Sequence, residues 1–434
     1  MVLRVLIVGA GICGPALAIL LQGSNPKHKI TILERSPSLR LTGQQIDLKT
    51  EAPHILTKMG LMDVIRSYCV DETGIEIVNF GGKRIALFGV SPAGQRQPGL
   101  TSEHEIMRGD MVQVLYNASL RQDAKLLGEH NSEEGLTYVF GQTITTLTQD
   151  ADGVEVTLTD GRSQRYDLVV AADGQSSRTR RLAFGQENSD AAFRSLGVHG
   201  AYYSVPKAED EDTLAKSHLA HQRRWAVTRS SGRPVTGILL YTADPSPEMR
   251  ASYHGSVQDQ KAAFAAKFES FDWQTRRLLD GIATCDDFYA HELGQIKMEC
   301  LFTGRVVLLG DAGYGPSPFT GLGTNFCLMG AYILAGELAQ NNNDLKEVLE
   351  SYEEKMRPVI DKCQRFPTWA LGFMFPSSRV GVWITEQAIW ALSKLTELWP
   401  RWRSEDDQTY HLPEYPELKL DVMKQAFSGE SMAA

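Results

Sequence analysis

The stretch Val5-Leu6-Ile7-Val8-Gly9-Ala10-Gly11-Ile12-Cys13-Gly14, followed by Pro15-Ala16-Leu17-Ala18-Ile19-Leu20-Leu21-Gln22, decides how the chain begins to fold. An apolar run of strand length, Val2 to Val8, meets three glycines in G-x-G-x-x-G spacing, and a helical stretch from Pro15 to Gln22 follows. Lys29 to Leu33 then reads as a second strand that ends on Glu34. Together these make a βαβ unit of the kind that binds a dinucleotide. Gly9 permits the tight turn, Gly11 lets a pyrophosphate approach the backbone, Gly14 lets helix and strand pack closely, and the helix N-terminus faces the phosphates. Glu34, twenty residues past Gly14, is placed to accept hydrogen bonds from ribose hydroxyls, with Arg35 beside it as a further candidate contact. The glycine pattern alone is a weak signal, and a bare structural turn competes with it. The complete order of strand, glycines, helix, strand and acid argues against that turn. The unit does not distinguish FAD from NAD.

At 434 residues the chain has room for two lobes with their own cores, and 42% hydrophobic with 22% charged residues is the balance of an ordinary globular protein. The net charge of −9 is spread without long single-sign runs, which argues against a nucleic-acid partner. Cys13, Cys69, Cys285, Cys300, Cys327 and Cys363 show neither CxxC nor Cys/His ligand spacing. Neither a metal site nor a disulfide framework is expected, and a reducing, cytoplasmic compartment fits. The N-terminus reads as the first strand rather than as a cleaved leader. Phe366 to Trp399 is the only plausible membrane candidate, but Pro367, Pro376, Arg379, Glu386 and Lys394 break it too often for a transmembrane span. From Ile384 the positions Ala388, Leu392, Leu395 and Trp399 form one apolar face at helical spacing. That face is expected to pack on the rest of the protein, with peripheral membrane contact the lesser alternative.

Farther along, Ile75 to Val78 and Arg84 to Phe88 flank Gly81-Gly82 as a hairpin. Arg108 to Leu120 is helical, and Asp152-Gly153 and Asp160-Gly161 mark hairpin turns. Tyr166 to Ala171, Val198 to Val205, Gly237 to Thr242 and Arg305 to Leu309 read as strands, and a helix is expected from about Asn325 to Gln340. The expected fold class is α/β, a Rossmann-like FAD-binding domain with a β-sheet substrate domain and C-terminal helices. The division is 1–74, 101–185 and 299–345 for the dinucleotide domain, a hairpin 75–100 and the body 186–298 for the substrate domain, and 346–434 for a helical segment bracing the two.

Two further segments carry chemistry. In Val169-Val170-Ala171-Ala172-Asp173-Gly174-Gln175-Ser176-Ser177-Arg178 a strand ends on an Asp-Gly pair, which read blandly is one more turn. In Gly310-Asp311-Ala312-Gly313-Tyr314-Gly315-Pro316-Ser317-Pro318-Phe319-Thr320-Gly321-Leu322-Gly323-Thr324-Asn325 a carboxylate at a strand end can hold a polyol hydroxyl. Backbone amides from Gly321 to Asn325, opening a helix, can stabilise anionic charge on a reduced ring.

Over roughly its first 345 residues the chain resembles the group A flavoprotein monooxygenases, the p-hydroxybenzoate hydroxylase superfamily, through these three segments. The resemblance implies that Asp311 binds the ribityl chain of FAD. Asp173 with Gly174 would serve both flavin and nicotinamide handling, and Pro318, Gly321, Gly323 and Asn325 would lie along the isoalloxazine. Arg40-Leu41-Thr42-Gly43-Gln44-Gln45-Ile46-Asp47-Leu48 looks like the flavin-edge loop of tetracycline-inactivating and aromatic polyketide hydroxylases, which brings in Arg40 and Gln45. Arg108 matches the family's flavin-binding arginine. Tyr314 departs from the pattern where relatives commonly have His, so no role of that His carries over.

The implied activity is monooxygenation. NADPH, less readily NADH, would reduce FAD, and a flavin hydroperoxide would place one oxygen atom on a bulky, aromatic or polycyclic small-molecule substrate; no second βαβ unit is visible for the nicotinamide. The cofactor carries the hard chemistry, so no catalytic acid or base is named. His199, on a strand beside Tyr202 and Tyr203, and Phe319 are candidate substrate contacts. The rival readings are a non-oxygenating flavin reductase, a flavin-dependent halogenase and a non-catalytic flavin-binding scaffold. The halogenase is weakened because none of the seven tryptophans sits in a Trp-x-Trp-x-Ile-Pro pattern.

Overall fold

The computed structural model describes residues 2–89, 104–130, 135–341, 344–398 and 410–420. The opening βαβ unit forms as expected: strand Arg4–Val8, helix Cys13–Ser24 and strand Lys29–Glu34, the helix starting two residues earlier than the composition suggests. These strands are central in a six-stranded sheet with the order Phe302–Thr303, Val306–Leu308, Leu168–Ala171, Arg4–Val8, Lys29–Glu34, Leu136–Phe140. It is parallel except at the Phe302–Thr303 edge. Because both faces of a parallel sheet are covered, its strands are apolar throughout, and Leu168–Ala171 is buried at every residue. Helix Cys13–Ser24 shares the largest core with helix Gly323–Gln340, whose side chains are buried almost all round.

The second sheet has seven strands, in the order Tyr289–Ile296, Phe193–Pro206, Val235–Thr242, Arg224–Ser230, Leu214–Ala220, Gly74–Val78, Arg84–Phe88. One face is covered by helices Val257–Phe268 and Thr275–Thr284, through Tyr203, Val205, Ile238, Leu240, Phe264 and Leu278. The other face, with Tyr202, Leu239 and Tyr241, looks toward the first lobe.

Three expectations change. Tyr166 to Ala171 is not one strand. Tyr166 ends the strand Ser163–Tyr166 of a separate three-stranded sheet, while Leu168 begins the parallel strand. Asp167 makes the corner, accepting a hydrogen bond from the Arg4 amide at 2.6 Å. The helix at Arg108 runs on to His130. The apolar face of the C-terminal helix Arg379–Leu398 does not pack on the protein: Ile384, Ala388, Leu392 and Leu395 are exposed. Trp399 lies outside the described residues, as does part of the 75–100 region.

The C-terminal segment touches both lobes. Helix Leu345–Cys363 lies on Gly323–Gln340 through Val348, Leu349, Tyr352 and Met356, while Arg379–Leu398 lies against strands Arg84–Phe88 and Leu214–Ala220. Among the described residues no helix is long and apolar enough to cross a membrane.

Tyr314, which stands where relatives commonly carry His, is turned into this first-lobe core. Its hydroxyl meets that of Tyr352 at 3.0 Å, and Tyr352 donates to the Leu308 carbonyl. Gly330 makes the room, since a Cβ there would lie 2.0 Å from the Tyr314 hydroxyl. Gly330→Ala should therefore lower the melting temperature, although alanine at an ordinary helix position gains about 1 kcal/mol over glycine. Adding Tyr314→Phe should recover part of the loss. A rise in melting temperature for Gly330→Ala alone would contradict this packing.

Candidate active site

The three glycine-bearing segments meet around one cavity of about 460 Å³ between the two sheets. Gly11, Ile12 and Cys13 line one end together with Arg108, Gly174, Asp311 and the loop Gly315 to Gly323. Tyr202, Arg229, Leu239, Tyr241, Tyr289 and His291, from the inward face of the seven-stranded sheet, line the other.

The glycines of the first turn divide by cause. A Cβ on Gly9, whose φ is +114°, would sit 2.4 Å from the Ala172 carbonyl oxygen, and one on Gly14 would sit 2.1 Å from that of Gly9. Both are required by the protein's own packing. A Cβ on Gly11 would meet only the Arg108 guanidinium, at 3.4 Å. Nothing in the fold demands a glycine there, so its bareness is left for a ligand, as a pyrophosphate approaching the helix N-terminus requires.

The remaining candidates separate in the same way. Asp311 lines the cavity, and its side chain is exposed there. Burial raises its pKa against the pull of Arg108. Arg108 packs its methylenes on Gly43, whose φ of +140° brings the Arg40 to Leu48 segment against it. Arg40 is exposed near Arg108, and its pKa is lowered by burial and then by Arg108 and Arg35. Arg35 is exposed at the end of its strand. Glu34 accepts from the Ala10 and Ser36 amides at 3.0 and 2.9 Å, one on each carboxylate oxygen, which leaves each a second lone pair. Pro318, Gly321 and Gly323 line the cavity. The Gln44 side-chain carbonyl and the Ser317 hydroxyl, both at its wall, are buried without a hydrogen-bond partner among the described residues. Such orphaned groups, a bare glycine turn and a carboxylate open to the cavity fit a large polar cofactor such as FAD.

Several expected side-chain contacts are otherwise engaged. Asp173 accepts from Ser177 Oγ, Thr179 N and Thr179 Oγ1, holding the start of helix Arg178–Phe184 rather than facing the cavity. Asn325 is buried, accepting from the Lys49 amide at 2.9 Å and donating to the Gly321 carbonyl, so it ties the flavin-edge strand to the glycine loop. The Gln45 amide is directed at Glu72 and Glu105. His199, expected as a substrate contact, does not line the cavity. Side chains alternate along strand Phe193–Pro206, so Gly200 and Tyr202 share the cavity face and His199 takes the other. There it is satisfied by the Tyr253 hydroxyl at 3.0 Å and the Asp244 carbonyl at 3.1 Å, and burial lowers its pKa. Phe319 joins the aromatic wall, its ring near those of Trp225, Tyr241 and Phe375.

Sequence reading passed over two features. Tyr202 stacks on Tyr289 and His291, with centroids 4.7 and 5.5 Å apart. Burial, with His199 adding to it, lowers His291 to about 4, so this cavity-facing imidazole is neutral. The other is Arg229, bound by both Glu72 and Glu105. Burial works to lower its pKa, but the two carboxylates hold it above its usual range. Glu105 is pushed up to about 8, by burial foremost, against Arg229.

Comparison with known proteins agrees with this arrangement. The FAD binding domain family matches residues 2–366. The FAD-dependent monooxygenase asL6 of Sarocladium schorii is 38% identical over 97% of this chain and 100% of its own length. The flavin-dependent monooxygenase eupH of a Phoma species is 33% identical over 88% and 89%. Among solved structures, the tetracycline destructase Tet(55) superposes with a TM-score of 0.73 at 26% identity, covering 95% of this chain and 98% of that one. With a glycine turn whose bareness the fold does not require, and relatives alike along nearly their whole length, the chain belongs to the FAD-dependent monooxygenases.

Proposed function

We propose that this monooxygenase takes reducing equivalents from NADPH in preference to NADH and places one oxygen atom on a bulky, multi-ring aromatic metabolite. The carrying observation is the single cavity that runs from Gly11 and Asp311 to the aromatic face of Tyr202, Tyr241, Tyr289 and His291. In this reading residues 1–74, 101–185 and 299–345 hold the flavin, while 75–100 and 186–298 hold the substrate. Gly11 and the start of helix Cys13–Ser24 would take the pyrophosphate, Glu34 the ribose, and Asp311 the ribityl chain. Arg108 and the amides from Gly321 onward would take the ring's negative charge. When bound, FAD supplies oxygen activation and transfer. The chain's own part is to orient the substrate and exclude water. Aromatic side chains on a rigid sheet offer flat apolar area, and the neutral His291 can accept a proton or hydrogen bond from a phenolic hydroxyl. The resemblance of the flavin-edge loop to enzymes of polycyclic phenols supports a large substrate.

The test is oxygen uptake by the FAD-loaded protein with NADPH and, separately, NADH, across polycyclic phenols and small aromatic acids. A fitting polycycle should couple NADPH oxidation to a product heavier by one oxygen atom, while salicylate or p-hydroxybenzoate should yield mainly hydrogen peroxide. Tight coupling with the small acids and none with polycycles would overturn the substrate class, and equal rates with both nicotinamides would overturn the NADPH preference.

A further inference from the structure

Helix Arg379–Leu398 buries little of its apolar surface. The face laid on the seven-stranded sheet carries Ile389, which packs on Ile77, Ala86 and Phe88, together with Thr385 and Ser393, only 3% and 2% exposed, and the half-buried Glu386, whose pKa is raised by burial with His218 opposing. The outward face is Val380, Trp383, Ile384, Ala388, Leu392 and Leu395, one continuous stripe at helical spacing, with Trp383 60% and Leu392 50% exposed. A helix in water buries such a stripe and exposes its hydroxyls; contiguous large apolar groups left outside mark an interaction surface.

We propose that this face docks on an anionic lipid surface. Three observations choose that occupant. Trp369, Phe373, Trp383 and Trp390 are all exposed there, and indole rings favour the headgroup zone, where one edge is apolar and the other wet. The exposed charged side chains between residues 365 and 395 are Arg365, Arg379 and Lys394, all basic, in a chain of net charge −9, and an acid, Glu397, follows in the last turn of the helix. The one acid between residues 365 and 395, Glu386, is on the inward side. A basic rim around an apolar stripe is the pattern of an interfacial helix drawn to anionic lipid, and a helix pairing with a second copy of itself has no use for that rim. The surface is also continuous with the cavity wall. The short helix Trp369–Met374 shows Trp369 and Phe373 outward, while Leu371, Met374 and the adjoining Phe375 pack on the aromatic cluster of Tyr202, Trp225 and Phe319. Docking sets that wall at the lipid boundary, so that an apolar substrate enters without crossing water; this consequence, though not the docking itself, rests on the proposed function.

Flotation of the FAD-loaded full chain with vesicles tests it, using phosphatidylcholine alone and phosphatidylcholine mixed with phosphatidylserine. The protein should float with the mixed vesicles and bind the neutral ones more weakly, with a blue shift of tryptophan emission. Trp383→Ser with Leu392→Gln should weaken binding at least about tenfold, and Arg365→Gln and Arg379→Gln about fivefold each. Flavin occupancy and melting temperature should stay unchanged in all of them. Absence of binding to both vesicle types would overturn the proposal, as would binding that survives Trp383→Ser with Leu392→Gln. A concentration-dependent dimer dissolved by those two substitutions would also overturn it, in favour of a second copy. Because flotation reads no turnover, a chain that binds lipid without oxygenating any phenol would sink the proposed function and leave this surface standing.

Discussion

Valine at position 11 is expected to give a folded protein without its yellow colour. The argument rests on the difference between the three glycines of one turn. At Gly9 and Gly14 the clash would be with backbone oxygens 2.4 and 2.1 Å away, so any side chain there attacks the fold. At Gly11 the clash would be with nothing but the end of the Arg108 side chain, at 3.4 Å, which can swing away. The valine methyls would instead fill the space where a pyrophosphate must touch backbone. Excluding it at a cost above about 3 kcal/mol weakens FAD binding by more than about a hundredfold. Flavin absorbance per protein after purification should collapse for Gly11→Val, while its far-ultraviolet circular dichroism stays that of the parent. Gly9→Val should lose both. A yellow Gly11→Val protein would show that the dinucleotide does not approach this turn.

Much of this was legible because the signals are local. A G-x-G-x-x-G turn between an apolar run and a helix is set by sterics within a few residues, and the Gly-Asp loop before Gly323–Gln340 likewise announces its own turn. What stayed hidden depends on partners far away in sequence. Asp173 reads as a ligand until Ser177 and Thr179 are seen to occupy both its oxygens. His199 and Tyr202 look equivalent as polar strand residues, and only the register against Thr242 and Leu239 puts them on opposite faces. The stripe from Ile384 through Ala388, Leu392 and Leu395 was visible as a periodicity. Its direction was not, because helix hydroxyls can turn inward when nearby carbonyls accept from them, as those of Phe373 and Trp390 do from Thr385 and Ser393. Tyr314 needed Gly330 and Tyr352, neither of which has a pattern of its own.

The same holds for Arg229, which meets Glu72 and Glu105 across 157 and 124 residues of chain. Both carboxylates are buried, and one guanidinium serves them both. Arg229→Met keeps much of the volume and removes a charge that binds both carboxylates. Breaking a buried ion pair from one side costs about 3–5 kcal/mol, so at pH 8 the variant should unfold far more easily than the parent. The pH dependence follows from the sign of the shift. Glu105, ordinarily 4.5, is raised to about 8 in the folded chain, chiefly by burial. A carboxyl raised on folding favours the native state most below its unfolded pKa, and that support is lost as pH climbs through the folded value. Without Arg229, which opposes the effect of burial on Glu105, that carboxyl is pushed higher still. The deficit of Arg229→Met should therefore shrink toward pH 5, where Glu105 is protonated, and grow toward pH 8. Glu105→Gln alone should flatten the parent's fall in melting temperature over the same range. Combining Glu72→Gln and Glu105→Gln with Arg229→Met should recover most of the loss, since no buried charge is then left unpaired. A deficit for Arg229→Met that is the same at pH 5 and pH 8 would mean that packing, and not charge, is what Arg229 contributes.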